Sequence, residues 1–176
     1  MTQHVPRPVA TALVAIAIAL TPLAAHAAAV GDLAPAVSLN GPQGAVSLAA
    51  GAAQGEWTYL DFWASWCGPC KESFPVMEDL HKKYGEKGFV ILAVNVDENA
   101  AAMKDFLKEH AASFTIVHDA TKKLVGTANI SSMPTSFMLD KEGKIAAIHK
   151  GFHGKDTVKQ YEAEIEKLLG TEVAKK

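Results

Sequence analysis

A chain of 176 residues with 49% apolar residues has enough material for one ordinary domain and its core. Its 17 basic and 19 acidic residues leave a net charge of -2. That balance gives no reason to expect a nucleic-acid partner, which normally shows as a basic patch or a high pI, and no polybasic cluster for anionic lipid.

Residues 1–27 read as a secretory signal peptide and residues 28–176 as a single folded domain. Met1–Ala10 is short and polar, with Arg7 as its only formal charge. Val9–Leu20 is nearly unbroken apolar sequence, and Ala25-His26-Ala27 has the small-x-small pattern of a cleavage site. The apolar run falls short of the roughly 20 residues a membrane span needs. An uncleaved anchor, extended through Thr21-Pro22 to Ala29, is the alternative.

The turn-rich stretch Asn40-Gly41-Pro42-Gln43-Gly44 lies between short apolar runs at Ala36–Leu39 and Ala45–Leu48, which predicts a hairpin. Trp57–Trp63 is apolar and aromatic almost throughout, as expected of a strand buried on both faces. Pro69–Tyr84 is predicted helical, with Phe74, Met77, Leu80 and Tyr84 on one face and Pro75 as a bend inside it. Phe89–Val96 is a second continuous strand, followed by a helix over Ala100–His110, a strand at Thr115–Val117 and a short helix at Lys122–Ala128. Thr135–Leu139 and Lys144–His149 flank Asp140-Lys141-Glu142-Gly143 as a hairpin. A last helix covers Lys155–Leu169. Strands alternating with helices, then a hairpin and a helix, predict an α/β sandwich with a mixed sheet and helices on both faces.

The chain has only two cysteines, Cys67 and Cys70. A bridge across so small a loop removes little chain entropy and is a poor staple. In an exported protein the pair is therefore expected to do chemistry. Thiolate is the reactive form of cysteine, so one sulfur needs a lowered pKa and access to a partner. The strand–Trp66-Cys67-Gly68-Pro69-Cys70–helix order puts Cys67 at a helix start, where free N–H groups and the macrodipole favour negative charge. Cys70, one turn on, is expected to be buried beneath it as the resolving thiol. Gly68 and Pro69 fit the turn and carry no charge.

Leu60-Asp61-Phe62-Trp63-Ala64-Ser65-Trp66-Cys67-Gly68-Pro69-Cys70 resembles the active-site segment of the thioredoxins. Together with Met133-Pro134-Thr135-Ser136-Phe137 and Leu139-Asp140-Lys141-Glu142-Gly143-Lys144, nearly the whole domain is similar to the membrane-associated or periplasmic branch that includes TlpA and ResA proteins. The resemblance implies a thioredoxin-like three-layer sandwich with an N-terminal hairpin extension, a periplasmic location and thiol–disulfide oxidoreductase activity without a cofactor. It further implies that Pro134 is cis and lies across from the cysteines, with the Met133 backbone pairing with a substrate strand. Trp66, Gly68, Pro69, Met133 and Pro134 are thus the candidate substrate-binding residues.

Asp61 is the one charge in its strand. At a strand edge it would sit in water; buried, it would have a raised pKa and could accept the Cys70 proton. Thioredoxins carry an aspartate here, which favours the second role. The lysine that faces it in thioredoxins is replaced by Ala93, so desolvation should raise its pKa further. The glutamate that ResA-type members place just after the cysteines is replaced by Ser73, with Glu72 out of register. Ser132 stands where relatives often have glycine, implying a tighter approach for a substrate backbone.

Two metal readings compete. Cys67 and Cys70 with His149 and His153 contain the ligand types of a zinc site, although histidines at such a hairpin end are usually solvated. The two thiols with Met133 could instead hold copper. The Gly-Pro dipeptide is that of thioredoxin, near -270 mV, against about -120 mV for the oxidant DsbA. It therefore points to a reductant, with an isomerase or oxidant as the alternative. By family analogy a membrane dithiol carrier of the DsbD or CcdA type supplies electrons. The implied substrates are disulfide-bearing proteins, such as apocytochrome c or copper-chaperone proteins, and the protein is expected to be monomeric.

Overall fold

The computed structural model describes Met1, residues 27–48 and residues 57–173. The expected signal peptide therefore lies outside the described residues, apart from Met1 and Ala27. Among the described residues no helix is long and apolar enough to cross a membrane.

A hairpin of β1 (Val37–Gly41) and β2 (Gly44–Leu48) precedes the strand β3 (Trp57–Trp63). Helix α1 (Gly68–Tyr84) runs into a single 3-10 turn at Gly85–Lys87, followed by β4 (Phe89–Asn95) and α2 (Ala100–Glu109). The chain continues as β5 (Thr115–His118), α3 (Lys123–Thr127), β6 (Thr135–Asp140), β7 (Ile145–Lys150) and α4 (Lys155–Val173). Every element expected from the sequence is present, with ends shifted by one or two residues except at the last helix, which runs on to Val173.

The strands form one mixed sheet in the order β2-β1-β5-β4-β3-β6-β7. β4 runs parallel to β3 and β5, and the remaining pairs are antiparallel. The two most apolar strands are thus side by side at the centre, where both faces are covered and alternation is not needed. Side chains along β3 still point alternately to the two faces. Tyr59 and Trp63 join a cluster with residues of α1, α2 and α4, including Phe74, Phe106 and Ile165. Leu60 and Phe62 join the opposite cluster, with Leu124 of α3 and Phe137.

Gly41 has a steric reason. A Cβ there would collide with the Ile116 carbonyl oxygen where β1 meets β5. The segment before β1 also ties the molecule together: Gly31 and Ala34 donate backbone hydrogen bonds to Ile145 and Gly143, beside β7.

Candidate active site

β3 and α1 are joined by a short link, so the end of the central strand delivers the chain directly to the helix start. Cys67 is the N-cap of α1 in an extended conformation, φ -87° and ψ 107°. Its Sγ accepts the Cys70 backbone N–H at 3.2 Å, the bond an N-cap side chain makes to the third helical residue. Gly68 and Pro69 occupy the first two helical positions, where proline's missing N–H costs nothing. The first turn carries no acidic residue to oppose negative charge on Cys67.

Cys67 and Cys70 are joined by a disulfide, with Cα atoms 5.3 Å apart. Cys70 is fully buried and Cys67 is 5% exposed, so the more accessible sulfur is the one at the helix start. Trp66 stands beside it, 69% exposed. Trp66, Cys67, Gly68 and Pro69 form one wall of a groove of about 440 Å³, and Ile130, Ser131, Ser132 and Met133 form the other. The Met133–Pro134 peptide bond is cis, and Pro134 opens directly into β6. Four of the five candidate substrate-binding residues, Trp66, Gly68, Pro69 and Met133, line this groove beside Cys67, while Pro134 is buried behind Met133. Ile130 and Ser131 belong to the same wall and escaped the sequence reading, because nothing in their local pattern marks a groove.

The link itself is pinned from β4. The buried Asp97 carboxylate accepts the Ser65 backbone N–H and hydroxyl, each at 3.0 Å, and the Asn95 side-chain amide at 2.8 Å. The carbonyl of Asp97 is in turn 2.6 Å from His118 Nε2. Ser65 is two residues before Cys67, so this network fixes the approach to the disulfide.

Asp61 lies in the middle of β3, 1% exposed, between Tyr59 and Trp63 on the face that Cys70 shares. The water-exposed alternative is thereby excluded. Its register partners are Ala93 on β4 and Ser136 on β6. Ala93 brings no charge. Ser136 donates its hydroxyl to Asp61 Oδ1 at 2.7 Å and accepts the Tyr59 hydroxyl at 2.7 Å. Oδ2 of Asp61 is buried and has no hydrogen-bond partner among the described residues. Burial, only partly offset by the Ser136 hydrogen bond, raises the Asp61 pKa to about 7. Ser73 is buried and donates to the Cys70 carbonyl, while Glu72 is exposed, so no glutamate takes the position it has in ResA-type members.

The zinc set is not brought together. Among the described residues no group of three or more His, Cys, Asp or Glu side chains converges. His149 also differs from its expectation as a solvated residue. It is 8% exposed, packs against Tyr161 with ring centroids 4.7 Å apart and planes tilted by 54°, and lies 2.7 Å from Glu164 through Nε2. Helix α4 covers this part of β7, which the hairpin sequence alone does not reveal.

Comparison with known proteins agrees with this geometry. The redoxin family model matches residues 29–165. The thiol-disulfide oxidoreductase ResA of Bacillus cereus is 36% identical over 115 residues, which are 65% of this chain and 65% of ResA. The chain thus spans just under two thirds of the length of that relative. A crystal structure from Chlorobium tepidum assigned as a thiol:disulfide interchange protein DsbE superposes with a TM-score of 0.76 at 39% identity, covering 81% of this chain and 99% of that one. The thioredoxin domain of a thiol-disulfide oxidoreductase from Bacteroides vulgatus gives a TM-score of 0.67 at 27% identity, covering 78% and 98%.

Proposed function

The chain belongs to the redoxin family, in its TlpA/ResA-like thioredoxin-fold branch, and on that premise we propose that it is a thiol–disulfide oxidoreductase that reduces disulfides in substrate proteins. The observation that carries the reading is the Cys67–Cys70 disulfide at the N-terminus of α1, facing Met133 across an open groove, with cis-Pro134 next in the chain.

In the reduced protein, the Cys67 thiolate attacks one sulfur of the substrate disulfide. A Cys67–substrate bond forms and the other substrate sulfur leaves as a thiolate, which takes up a proton from water. The Cys70 thiol then gives its proton to Asp61 and attacks Cys67 Sγ. The Cys67–Cys70 bond forms, the mixed disulfide breaks, and the second substrate sulfur leaves as a thiolate. Two electrons pass from the protein dithiol to the substrate. Trp66, Gly68, Pro69 and Met133 line the groove for the substrate segment, with the Met133 backbone as its pairing strand and Pro134 fixing that strand's position.

Gly68 and Pro69 between the cysteines, with no His or Lys there to stabilise a thiolate as in a strong oxidant, support a reductant close to thioredoxin's potential of about -270 mV. The site works in the periplasm, recharged by a membrane dithiol donor of DsbD or CcdA type, on apocytochrome c or copper-chaperone cysteines. Equilibration against dithiol buffers of known potential tests the direction. A value near that of thioredoxin is expected; a value above about -180 mV would overturn the reductase reading and indicate an isomerase or oxidant.

A further inference from the structure

Asp61 is buried with no cation beside it among the described residues, yet it has to exist part of the time as a charged base. The sheet supplies an alternative to a cation. One rung crosses it at this level, running Ala93, Asp61, Ser136 and His149 over β4, β3, β6 and β7. The polar groups on this rung are asymmetric. Ser136 has one proton, and it points to Asp61 Oδ1; the lone pair of the same oxygen accepts from Tyr59. Tyr59 is fully buried, and burial followed by the nearby Asp61 charge pushes its phenol well above the ordinary value, so it remains a donor. Donors arranged head to tail polarise one another and favour negative charge at the receiving end.

Resting on the proposed role of Asp61 as proton acceptor, we propose that Tyr59 and Ser136 are positioning residues whose hydroxyls form a one-way donor chain to Asp61. The chain does the work of the absent cation: it occupies Oδ1, orients the carboxylate, and leaves Oδ2 as the atom that receives the Cys70 proton. The unpartnered state of buried Oδ2 is the independent sign that one oxygen has been left open. A carboxyl held merely for structure would be expected to satisfy both oxygens.

Of the other groups packed around Asp61, only the Tyr161 hydroxyl reaches this chain among the described residues. Ala93 on β4 is uncharged, and α1 contributes Cys70, which is held in the disulfide. Tyr161 of α4 meets Tyr59 edge-on, with ring centroids 5.5 Å apart; its hydroxyl interacts with Tyr59 and Ser136, and burial first, then the Asp61 charge, raises its phenol pKa, so it stays protonated at the outer end of the same chain. Farther along the rung, His149 Nε2 lies 2.7 Å from Glu164, the titratable pair closest in register to Ser136.

The test is the pH dependence of the resolving step. Reduced protein is converted to a mixed disulfide between Cys67 and a chromogenic thiol, and thiol release by Cys70 is followed from about pH 5 to 9. Ser136→Ala should move the ascending limb up by about one unit, because a hydrogen bond to the charged form is lost, and should slow release about fivefold at pH 7. Ser136→Thr, which keeps the hydroxyl, should restore the wild-type limb, and Tyr59→Phe should shift it in the same direction as Ser136→Ala by less. A limb unmoved in both Ser136→Ala and Tyr59→Phe would overturn the proposal. Asp61→Asn separates this from failure of the underlying reading. If Asp61→Asn removes the limb while the hydroxyl variants leave it alone, only the donor chain is wrong. If Asp61→Asn also retains the limb, Asp61 is not the base and both proposals fall.

Discussion

Asp61 shows how one side chain can be read from opposite ends. As the single charge in WTYLDFW it stood out in the sequence, and the structure gives it the burial such a pattern implies. Ser136 could not be singled out in the same way. A serine in a strand is unremarkable, and its partner Asp61 is 75 residues away. His149 was misleading for a related reason, since the element that buries it comes later in the chain. The raised Asp61 pKa also has a consequence for stability. The native carboxyl, near 7, holds its proton more tightly than an unfolded aspartate near 3.9, so the folded chain binds more protons between those values. Stability is therefore expected to fall as pH rises from about 4 through about 7, and to level off above. The span of about three units corresponds to roughly 4 kcal/mol. Asp61→Asn, which cannot ionise, should match the oxidised wild type near pH 4 and exceed it by about 2–4 kcal/mol at pH 8.5 in urea denaturation. Equal differences at both pH values would show that the carboxyl is not held as described.

At the level of elements, the boundaries were legible because each has a strong local cause. Continuous apolar runs gave β3 and β4, three-to-four spacing gave α1, and the Asn40–Gly44 turn gave the first hairpin. The strand order was not readable from such patterns, because β4 pairs with β3 and β5 across intervening helices. The Asp97 network belongs to this long-range class. It joins the end of β4 to Ser65 in the link that carries Cys67, and no local sequence signal marks it. Asp97→Ala leaves the Ser65 N–H and the Asn95 amide without their acceptor. A loss of about 1–3 kcal/mol in denaturation with the disulfide intact is expected. An unchanged midpoint would mean that the link is held by its covalent and backbone constraints alone. A second element-scale feature is the aromatic group under α1, where Phe74 packs against Trp63, Phe106 and Phe114 with centroids 4.6, 4.9 and 5.5 Å apart. These contacts seat the helix that carries both cysteines on the sheet.

For the whole molecule, the fold joins two segments far apart in sequence, the cysteine helix and the Met133–Pro134 turn, on the two walls of one groove. Both segments resemble thioredoxin motifs in the sequence, so the groove is expected as a family property; its companions Ile130 and Ser131 are apparent only in the folded chain. The proposed reducing role also makes a demand on the cell. An oxidising compartment would leave the pair as the disulfide unless electrons are delivered continuously. Alkylation trapping in the native envelope should find Cys67 and Cys70 mostly reduced, and mostly oxidised once a DsbD- or CcdA-type donor is deleted. A pair that stays reduced without any such donor would contradict the proposed electron route.

The division of labour between the two cysteines is the centre of the account, and it can be measured in the purified protein. Reduced wild type, Cys67→Ser and Cys70→Ser are each mixed with a disulfide-bearing substrate protein and quenched by acid for mass analysis. Cys70→Ser should accumulate a stable mixed disulfide on Cys67, Cys67→Ser should react far more slowly, and wild type should pass through to the Cys67–Cys70 disulfide. A mixed disulfide forming on Cys70 at the wild-type rate, with Cys67 idle, would contradict the account.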